Sequence, residues 1–380
     1  MIRSNLLGVA VGVLSPAALA AQSGGGAFVV RLGNDTVAVE QYRLTAERLQ
    51  GEQVIRAPRT QHRIYTATLA RNGAVQRFEL ATHNVSDPNP TEQKATIEFR
   101  DDSAIATTDG GDSTVTRRIK LRADAAPYLG QSAALVELLA RRARAAGGDW
   151  YTTVVLPVGA TEPWDVTVNR LGRDSMTITL GPIGPLRMRV DDRGTLLGLS
   201  GIGSTMQVTV ERVPSLDLAT LGRTFAARPL GALSPADSVK TTIAGAALAV
   251  RYSRPSMRGR VIFGSVVPWN RVWRTGANAA TTLETSADLI IGGATIPAGQ
   301  YSLWTIPAPS GWTLIVNRNT GQWGTDYDAK YDLARLDMQV ERPAQPVEQL
   351  TIAIEPRDSG GVLKLEWERT RAWIPFSRKP

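Results

Sequence analysis

Apolar and polar residues alternate with a period of two through much of the chain, most regularly between residues 164 and 210. The run WDVTVNRL puts Trp164, Val166 and Val168 on one side, and SMTITL does so with Met176, Ile178 and Leu180. LRMRV repeats it with Leu186, Met188 and Val190, and MQVTV with Met206, Val208 and Val210. Successive side chains of an extended chain point to opposite faces, so each run predicts a strand with one buried face. Turn-forming residues at 171–174, 181–184 and 191–194 separate the runs, which predicts an antiparallel meander. Residues 28–32, 36–45, 63–70, 76–82 and 96–99 are strand-like with a less regular pattern.

One segment changes period. SAALVELLARRARAA, residues 132–146, sets Leu135, Leu138, Leu139 and Arg142 on one face of a helix. Ser132 is its N-cap, arginines fill its last turns, and Gly147-Gly148 ends it. A single helix within a long meander predicts a curved sheet folded over it. The helix either completes the core or bounds an apolar groove for an acyl chain.

Residues 214–235 (PSLDLATLGRTFAARPLGALSP) lose the periodicity and carry prolines at 214, 229 and 235, so they read as a linker. The strand pattern then returns. LIIGGATI folds back at Gly292-Gly293, where both glycines tolerate positive φ. WTLIV aligns Trp312, Leu314 and Val316, and Leu350, Ile352 and Ile354 face Leu363, Leu365 and Trp367 across the turn at 358–361. The chain is therefore expected to be predominantly all-β. An N-terminal curved antiparallel β domain with the 132–146 helix would cover residues 27–213. A β-sandwich or jelly-roll-like domain would cover residues 236–380.

Composition adds a location. Arg3, the apolar run 6–14 and Ala18-Leu19-Ala20 have the form of a secretory signal peptide over residues 1–20, which predicts a periplasmic or secreted protein beginning at Ala21. That apolar run is too short to span a bilayer, and no later segment approaches the length needed. The absence of cysteine excludes disulfides, thiolate nucleophiles and thiolate metal sites. The net charge of +8, reduced by one when Arg3 is removed, favours anionic partners, an envelope surface among them. No nucleic-acid-binding motif is present, and no nucleic-acid partner is expected.

Catalytic signals are weak. His62 and His83 are the only histidines and no HExxH links them, so no metal is expected. GLSGIG at 198–203 is neither a nucleophile elbow nor a phosphate loop, and nothing marks a catalytic carboxylate pair. No catalytic residue and no cofactor is predicted.

The strongest chemical signal is RPSMRGRVIFG…VPWNRVWRTGAN, residues 254–278, with five arginines. Across 240–283 there are seven Lys/Arg and no Asp or Glu. Arg254, Arg258, Arg260 and Arg274 would form guanidinium forks around a carboxylate or phosphate, with Trp273 as a stacking wall and Asn278 adding a turn amide. Alternatively each arginine pairs with an acid from elsewhere, such as Glu284, Asp326, Asp328 or Glu366. Residues 236–380 hold seventeen Lys/Arg and thirteen Asp/Glu, so partners exist. A second signal is NRNTGQWGTDYDAKYD, residues 317–332. Asp326, Asp328 and Asp332 with Asn317 and Asn319 are oxygen ligands of the kind calcium takes, but the EF-hand glycine and twelfth-position glutamate are missing. In this segment Trp323 either covers the end of the domain or stacks on a sugar ring.

These phrases carry a resemblance. Together with IGGATIPAGQYSLWTIP, WTLIVNRNTGQWG and a closing WIPF, the arginine-rich line resembles the bacterial family called domain of unknown function 2911, over about residues 236–376. The resemblance implies export and a β-rich domain, and brings no reaction or ligand. The first half resembles periplasmic lipoprotein carriers only in its strand–helix–strand layout, and layout does not set function. The expectation is an exported noncatalytic binding or envelope-associated protein. Its C-terminal domain would recognise an anionic or carbohydrate-like group through Arg254, Arg258, Arg260, Trp273, Arg274, Asn278 and Trp323. The alternatives are a carboxylate-dependent hydrolase on a sugar or acyl substrate, and a carrier of a hydrophobic or lipid ligand in the N-terminal domain.

Overall fold

The computed structural model describes residues 24–201 and 207–380; the expected signal segment and Met206 lie outside the described residues. The chain divides into two units. The first holds residues up to Arg31 with Thr36–Ser200 and Thr209–Pro229, and the second holds Leu32–Asp35, Gly201–Val208 and Leu230–Pro380.

The first unit is one large curved sheet of fifteen strands. Its first eight are β1 (Gly25–Leu32), β2 (Asp35–Leu44), β3 (Arg48–Ile55), β4 (Gln61–Leu69), β5 (Val75–Asn84), β6 (Gln93–Phe99), β7 (Ser103–Asp109) and β8 (Thr114–Lys120). After β9 (Ala126–Tyr128) comes helix α1 (Ala133–Ala146). The remaining strands are β10 (Trp150–Pro157), β11 (Trp164–Arg170), β12 (Ser175–Leu180), β13 (Pro185–Val190), β14 (Leu196–Gly201) and β15 (Val208–Val213), and helix α2 (Leu218–Ala227) follows. The order β8 to β1, then β15 down to β9, makes two meanders that meet where β1 lies beside β15. Hairpins join neighbours in sequence, and only a longer connection such as the one containing α1 permits the parallel pairing of β9 with β10.

Strands β11 to β13 follow the alternation. Val166, Val168, Met176, Ile178, Leu180, Leu186, Met188 and Val190 are all buried. Strand β2 departs from it, being buried on both faces. Val39 packs with Val54 against Leu218 and Phe225 of α2, whereas Glu40 faces α1. Helix α2 lies inside the segment read as an aperiodic linker. Leu218, Leu221, Gly222 and Phe225 follow helical spacing, and the Asp217 carboxylate caps the first turn by accepting from Thr220 N at 3.0 Å.

Helix α1 begins where expected, with Ser132 Oγ accepting from Leu135 N at 3.2 Å. The sheet holds its N-terminal end with polar groups. The Tyr65 hydroxyl donates to Glu40 Oε1 at 2.7 Å, and Ala134 N donates to Glu40 Oε2 at 2.9 Å. Burial raises the Glu40 carboxyl above its usual range, although hydrogen bonds from Ser132, Tyr65 and the helix backbone pull it down. Gln53 and Arg63 donate to the carbonyl of Gly130, just before the helix.

One turn further along, Glu137 is completely buried. Its carboxylate accepts from Arg141 Nε at 2.9 Å, from Leu196 N at 3.0 Å and from Arg212 Nη2 at 2.6 Å. Arg212 also donates to the Tyr42 hydroxyl and to the carbonyls of Gly25 and Leu196, and its guanidinium lies 4.9 Å from the Phe28 ring centre. Gly26 leaves room for this; a Cβ there would overlap the Arg212 guanidinium.

The second unit has eleven strands in a nearly closed, barrel-like sheet. They are β16 (Ala236–Ile243), β17 (Ala246–Ser253), β18 (Thr281–Thr285), β19 (Leu289–Ile291), β20 (Ala294–Ile296), β21 (Gly299–Ala308), β22 (Gly311–Asn317), β23 (Asp332–Glu341), β24 (Val347–Arg357), β25 (Gly360–Glu368) and β26 (Thr370–Arg378). The path runs β16-β17-β18-β21-β22-β23-β26-β19-β20, and the β24–β25 hairpin attaches through β26. The sheet thus curls on itself to enclose a core. The hairpin at Gly292-Gly293 forms as expected, with φ of 54° and 85°. Between β17 and β18, residues 254–280 form no ladder and thread Ile262, Phe263, Val266, Val267 and Trp273 into the core. The Phe263 ring meets Trp269, Trp273, Trp312 and Trp367 at centroid distances of 6.0, 6.0, 4.8 and 6.1 Å. Four aromatic contacts on one ring fix the loop by packing.

Glu137→Ala leaves Arg141 and Arg212 without their common carboxylate. The first unit is expected to lose about 3–5 kcal/mol of stability, measured by urea denaturation, and Glu137→Ala paired with Arg212→Met is expected to regain part of that loss.

Candidate functional site

In the second unit β17, β18 and β21 lie side by side, with Arg251 opposite Thr282 and Glu284 opposite Gln300. Leu283 and Tyr301, between these positions, are buried, so the polar set falls on the outer face. It lines an open groove of about 560 Å³ whose other wall includes Ala279 and Gly321. Arg251 Nη1 and Glu284 Oε2 are 3.1 Å apart and both side chains are about half exposed, which makes this a solvated pair of small energetic weight that is open to a ligand.

Two of the family phrases meet beside the groove. Gly324 N donates to the Asn278 carbonyl at 3.0 Å, Ala280 N donates to the Gln322 carbonyl at 3.3 Å, and Ala279 bridges to Trp323. Gln322 Nε2 donates to Ser302 Oγ at 3.1 Å, tying the same loop to β21. Gly324 admits the Arg274 side chain; a Cβ would overlap Arg274 Cδ and the Asn278 carbonyl. The Trp323 side of this loop is open to solvent, with the residue 49% exposed.

The predicted site residues fall in different places. Arg254 donates to Asp237 Oδ2 at 3.1 Å, to the Leu350 carbonyl at 2.9 Å and to Thr351 Oγ1 at 2.9 Å. Arg258 pairs with Asp35 at 2.5 Å, in the Leu32–Asp35 turn that belongs to this unit, and its backbone N–H donates to Glu348. Arg260 donates to the carbonyls of Met257 and Ser256, and burial together with the Arg258 charge lowers its pKa. Burial lowers that of Arg274. Trp273 is in the core, its indole N–H donating to the Gly276 carbonyl at 3.1 Å. Asn278 is exposed and donates to Ser253 Oγ, a groove residue. Asn278 and Trp323 therefore flank one groove, while Arg254 and Arg258 tie the loop to residues outside it and Arg260 bonds to carbonyls within it.

The groove's own side chains, Arg251, Thr282, Glu284 and Gln300, escape a sequence reading. They occupy outward positions of alternating strands and look like any solvent face. The 317–332 segment is held by internal bonds. Asn317 donates to Asp332 Oδ1 and to the Asp328 carbonyl, Tyr327 and Arg335 donate to Asp332 Oδ2, and Asp328 pairs with Lys330. Among the described residues no group of three or more His, Asp or Glu is placed to hold a metal.

The two histidines, separate in sequence, are opposite one another on β4 and β5, with ring centres 4.8 Å apart. His62 Nε2 lies 2.7 Å from Glu52 Oε1. Burial would raise the Glu52 pKa, but the hydrogen bond and charge of His62, with a hydrogen bond from Gln41, hold the carboxyl below its usual range. Burial, then the neighbouring His62 charge, lowers that of His83.

Residues 234–376 match the family described as Protein of unknown function (DUF2911), in agreement with the resemblance carried by the arginine- and tryptophan-rich phrases. No curated protein matches the chain. Among solved structures, the chain is similar to a DUF1089 family protein from Pseudomonas aeruginosa, with 13% identity and a TM-score of 0.33, over 43% of this chain and 90% of that one. It is also similar to a beta-barrel-like protein of domain of unknown function DUF1849 from Brucella abortus, with 13% identity and a TM-score of 0.35, over 50% and 95% of the two chains.

Gly324→Ala is expected to destabilise the second unit by about 1–3 kcal/mol through overpacking, seen as a lower unfolding midpoint with altered tryptophan fluorescence. His62→Ala tests the Glu52 assignment. A carboxyl with a lowered folded pKa adds stability above its unfolded pKa and loses it as pH falls through the folded value. The drop in urea midpoint between about pH 6 and pH 3 is therefore expected to be smaller in His62→Ala than in the parent protein.

Proposed function

We propose that the protein is an exported, noncatalytic binding protein whose C-terminal unit takes a carbohydrate-like ligand in the groove beside Trp323. One observation carries this reading: Arg251, Glu284, Gln300 and Thr282 share an open groove whose wall residue Ala279 pairs with the half-exposed Trp323. Sugar hydroxyls need donors and acceptors together, which an arginine, a carboxylate, an amide and a hydroxyl supply. The C–H faces of a sugar ring suit a flat indole surface. An anionic ligand at the arginine-rich loop has less support. Such a ligand would have to displace Asp237 from Arg254 and Asp35 from Arg258. An acyl chain held between the apolar face of α1 and the sheet also has less support, because Leu135, Leu138, Leu139, Ala140 and Ala143 on that face are already buried. Export rests on the leader-like sequence at residues 1–20.

The test is a thermal-shift and tryptophan-fluorescence titration of the mature protein against soluble oligosaccharides. At least one is expected to bind, and Trp323→Ala is expected to weaken it about tenfold or more, equivalent to about 1.4 kcal/mol, with the unfolding temperature of the free protein unchanged. The reading is wrong if no oligosaccharide binds, or if Trp323→Ala and Gln300→Ala both bind as tightly as the parent.

A further inference from the structure

The first unit holds a larger cleft, of about 930 Å³, where the two meanders meet. Arg141 from α1, Arg193 from the β13–β14 turn and Arg212 from β15 line it, with Asp191 and Thr195. Leu44, Ala46, Val213 and Pro214 supply an apolar wall.

The charges in this cleft do not cancel. Glu137 lies beneath it, with a side chain only 1% exposed, and is shared by Arg141 and Arg212. Asp191 is the carboxylate that lines the cleft, and its Oδ1 accepts from the backbone N–H groups of Arg193 and Thr195. Although burial would raise the Asp191 pKa, these hydrogen bonds and the charge of Arg141 keep it low, so it stays ionised. Three guanidinium groups against two carboxylates leave an excess of one positive charge.

Donors are also left over. A guanidinium has five N–H groups in a fixed fork. Arg141 uses Nε and Nη2 on Glu137 and Thr195, which orients the side chain and leaves Nη1 without a hydrogen bond to any described residue. The Arg193 side chain is exposed, and its guanidinium has no hydrogen bond or ion pair with any described residue. Arg212 is consumed by Glu137, Tyr42, Gly25 and Leu196 and serves as the frame. One arginine is thus held in place with an unused edge, and a second stands free at the same cleft. The fork of a guanidinium matches the oxygens of a carboxylate or phosphate.

We infer that this cleft binds an amphiphilic organic anion, with its carboxylate or phosphate at Arg141 and Arg193 and its apolar body against Leu44, Ala46, Val213 and Pro214. This site is separate from the saccharide groove, and neither depends on the other.

The experiment is calorimetric titration of the mature protein with decanoate below its aggregation concentration, beside decanol, inorganic phosphate and anionic phospholipid vesicles. Decanoate is expected to bind, decanol and inorganic phosphate at least about tenfold more weakly, and the affinity is expected to fall with added salt. Arg193→Gln, a change at an exposed side chain, is expected to weaken decanoate about tenfold or more while leaving both the unfolding midpoint and oligosaccharide binding unchanged. Arg141→Gln is the less clean variant because it also disturbs Glu137. Equal binding of decanol and decanoate, binding of phosphate as tight as decanoate, or undiminished decanoate binding by Arg193→Gln would each overturn the inference. So would binding to vesicles without binding of monomeric decanoate, which would assign the arginines to a bilayer surface.

Discussion

The ion pair between the buried Glu137 and the partly buried Arg212 is the constraint around which the first unit is arranged. Taking the Glu137 charge fully out of water, and Arg212 partly so, costs several kcal/mol, and the cost is offset where the remaining lone pairs and N–H groups find partners. Here the partners are structural elements: α1 through Glu137 and Arg141, β1 through the Gly25 carbonyl, β2 through Tyr42 and β14 through Leu196. The seam between two long meanders has no hairpin to hold it, since β1 and β15 are far apart in sequence. A charged cross-link from the central helix to both sides of that seam supplies the missing register. The same arrangement fixes Arg141 on the surface above Glu137, so the frame and the anion cleft share one set of charges.

In the second unit packing does the equivalent work. Residues 254–280 form no strand ladder, yet they carry the centre of the aromatic cluster through Phe263 and Trp273. Four non-glycine residues there, Arg258, Asn270, Thr275 and Asn278, have positive φ. Such backbone persists only when its surroundings over-determine it. Arginines satisfying loop carbonyls and Asp237 and Asp35 are part of that determination. The outer polar face of β17, β18 and β21 carries only the solvated Arg251–Glu284 pair, which leaves it available to the proposed ligand.

The sheet was legible in the sequence wherever one face met solvent and the other met the core, as in β11 to β13, and helix α1 was legible down to its Ser132 cap. Strands β3, β7 and β8 were not. Strand β3 turns Gln53 toward the helix end and carries Glu52 on its other face, so polar residues occupy both sides. Strand β8 is exposed at nearly every position and shows no alternation. Helix α2 is only ten residues long with a glycine inside, and the flanking Pro214 and Pro229 with Asp217 read as linker chemistry. Of the residues flagged for binding, Asn278 and Trp323 flank the groove, whereas the arginines were flagged for conspicuous charge. That conspicuousness reflects pairing partners distant in sequence, Asp237 and Leu350 for Arg254 and Asp35 for Arg258, which no local spacing reveals. The groove and the cleft are both assembled from ordinary polar positions whose meeting only the fold determines.

Arg254, Arg258 and Arg260 bond to the protein's own carbonyls and carboxylates, and the proposed ligand contacts the neighbouring strand face. Hydrogen–deuterium exchange of the protein, with and without a saturating oligosaccharide, separates these two roles. New protection is predicted at residues 251–253, 279–284 and 320–324, with residues 254–274 already protected in the free protein and unchanged. Protection gained chiefly across 254–274 would instead make these arginines the ligand's partners, in place of Asp237, Asp35 and the carbonyls they now hold.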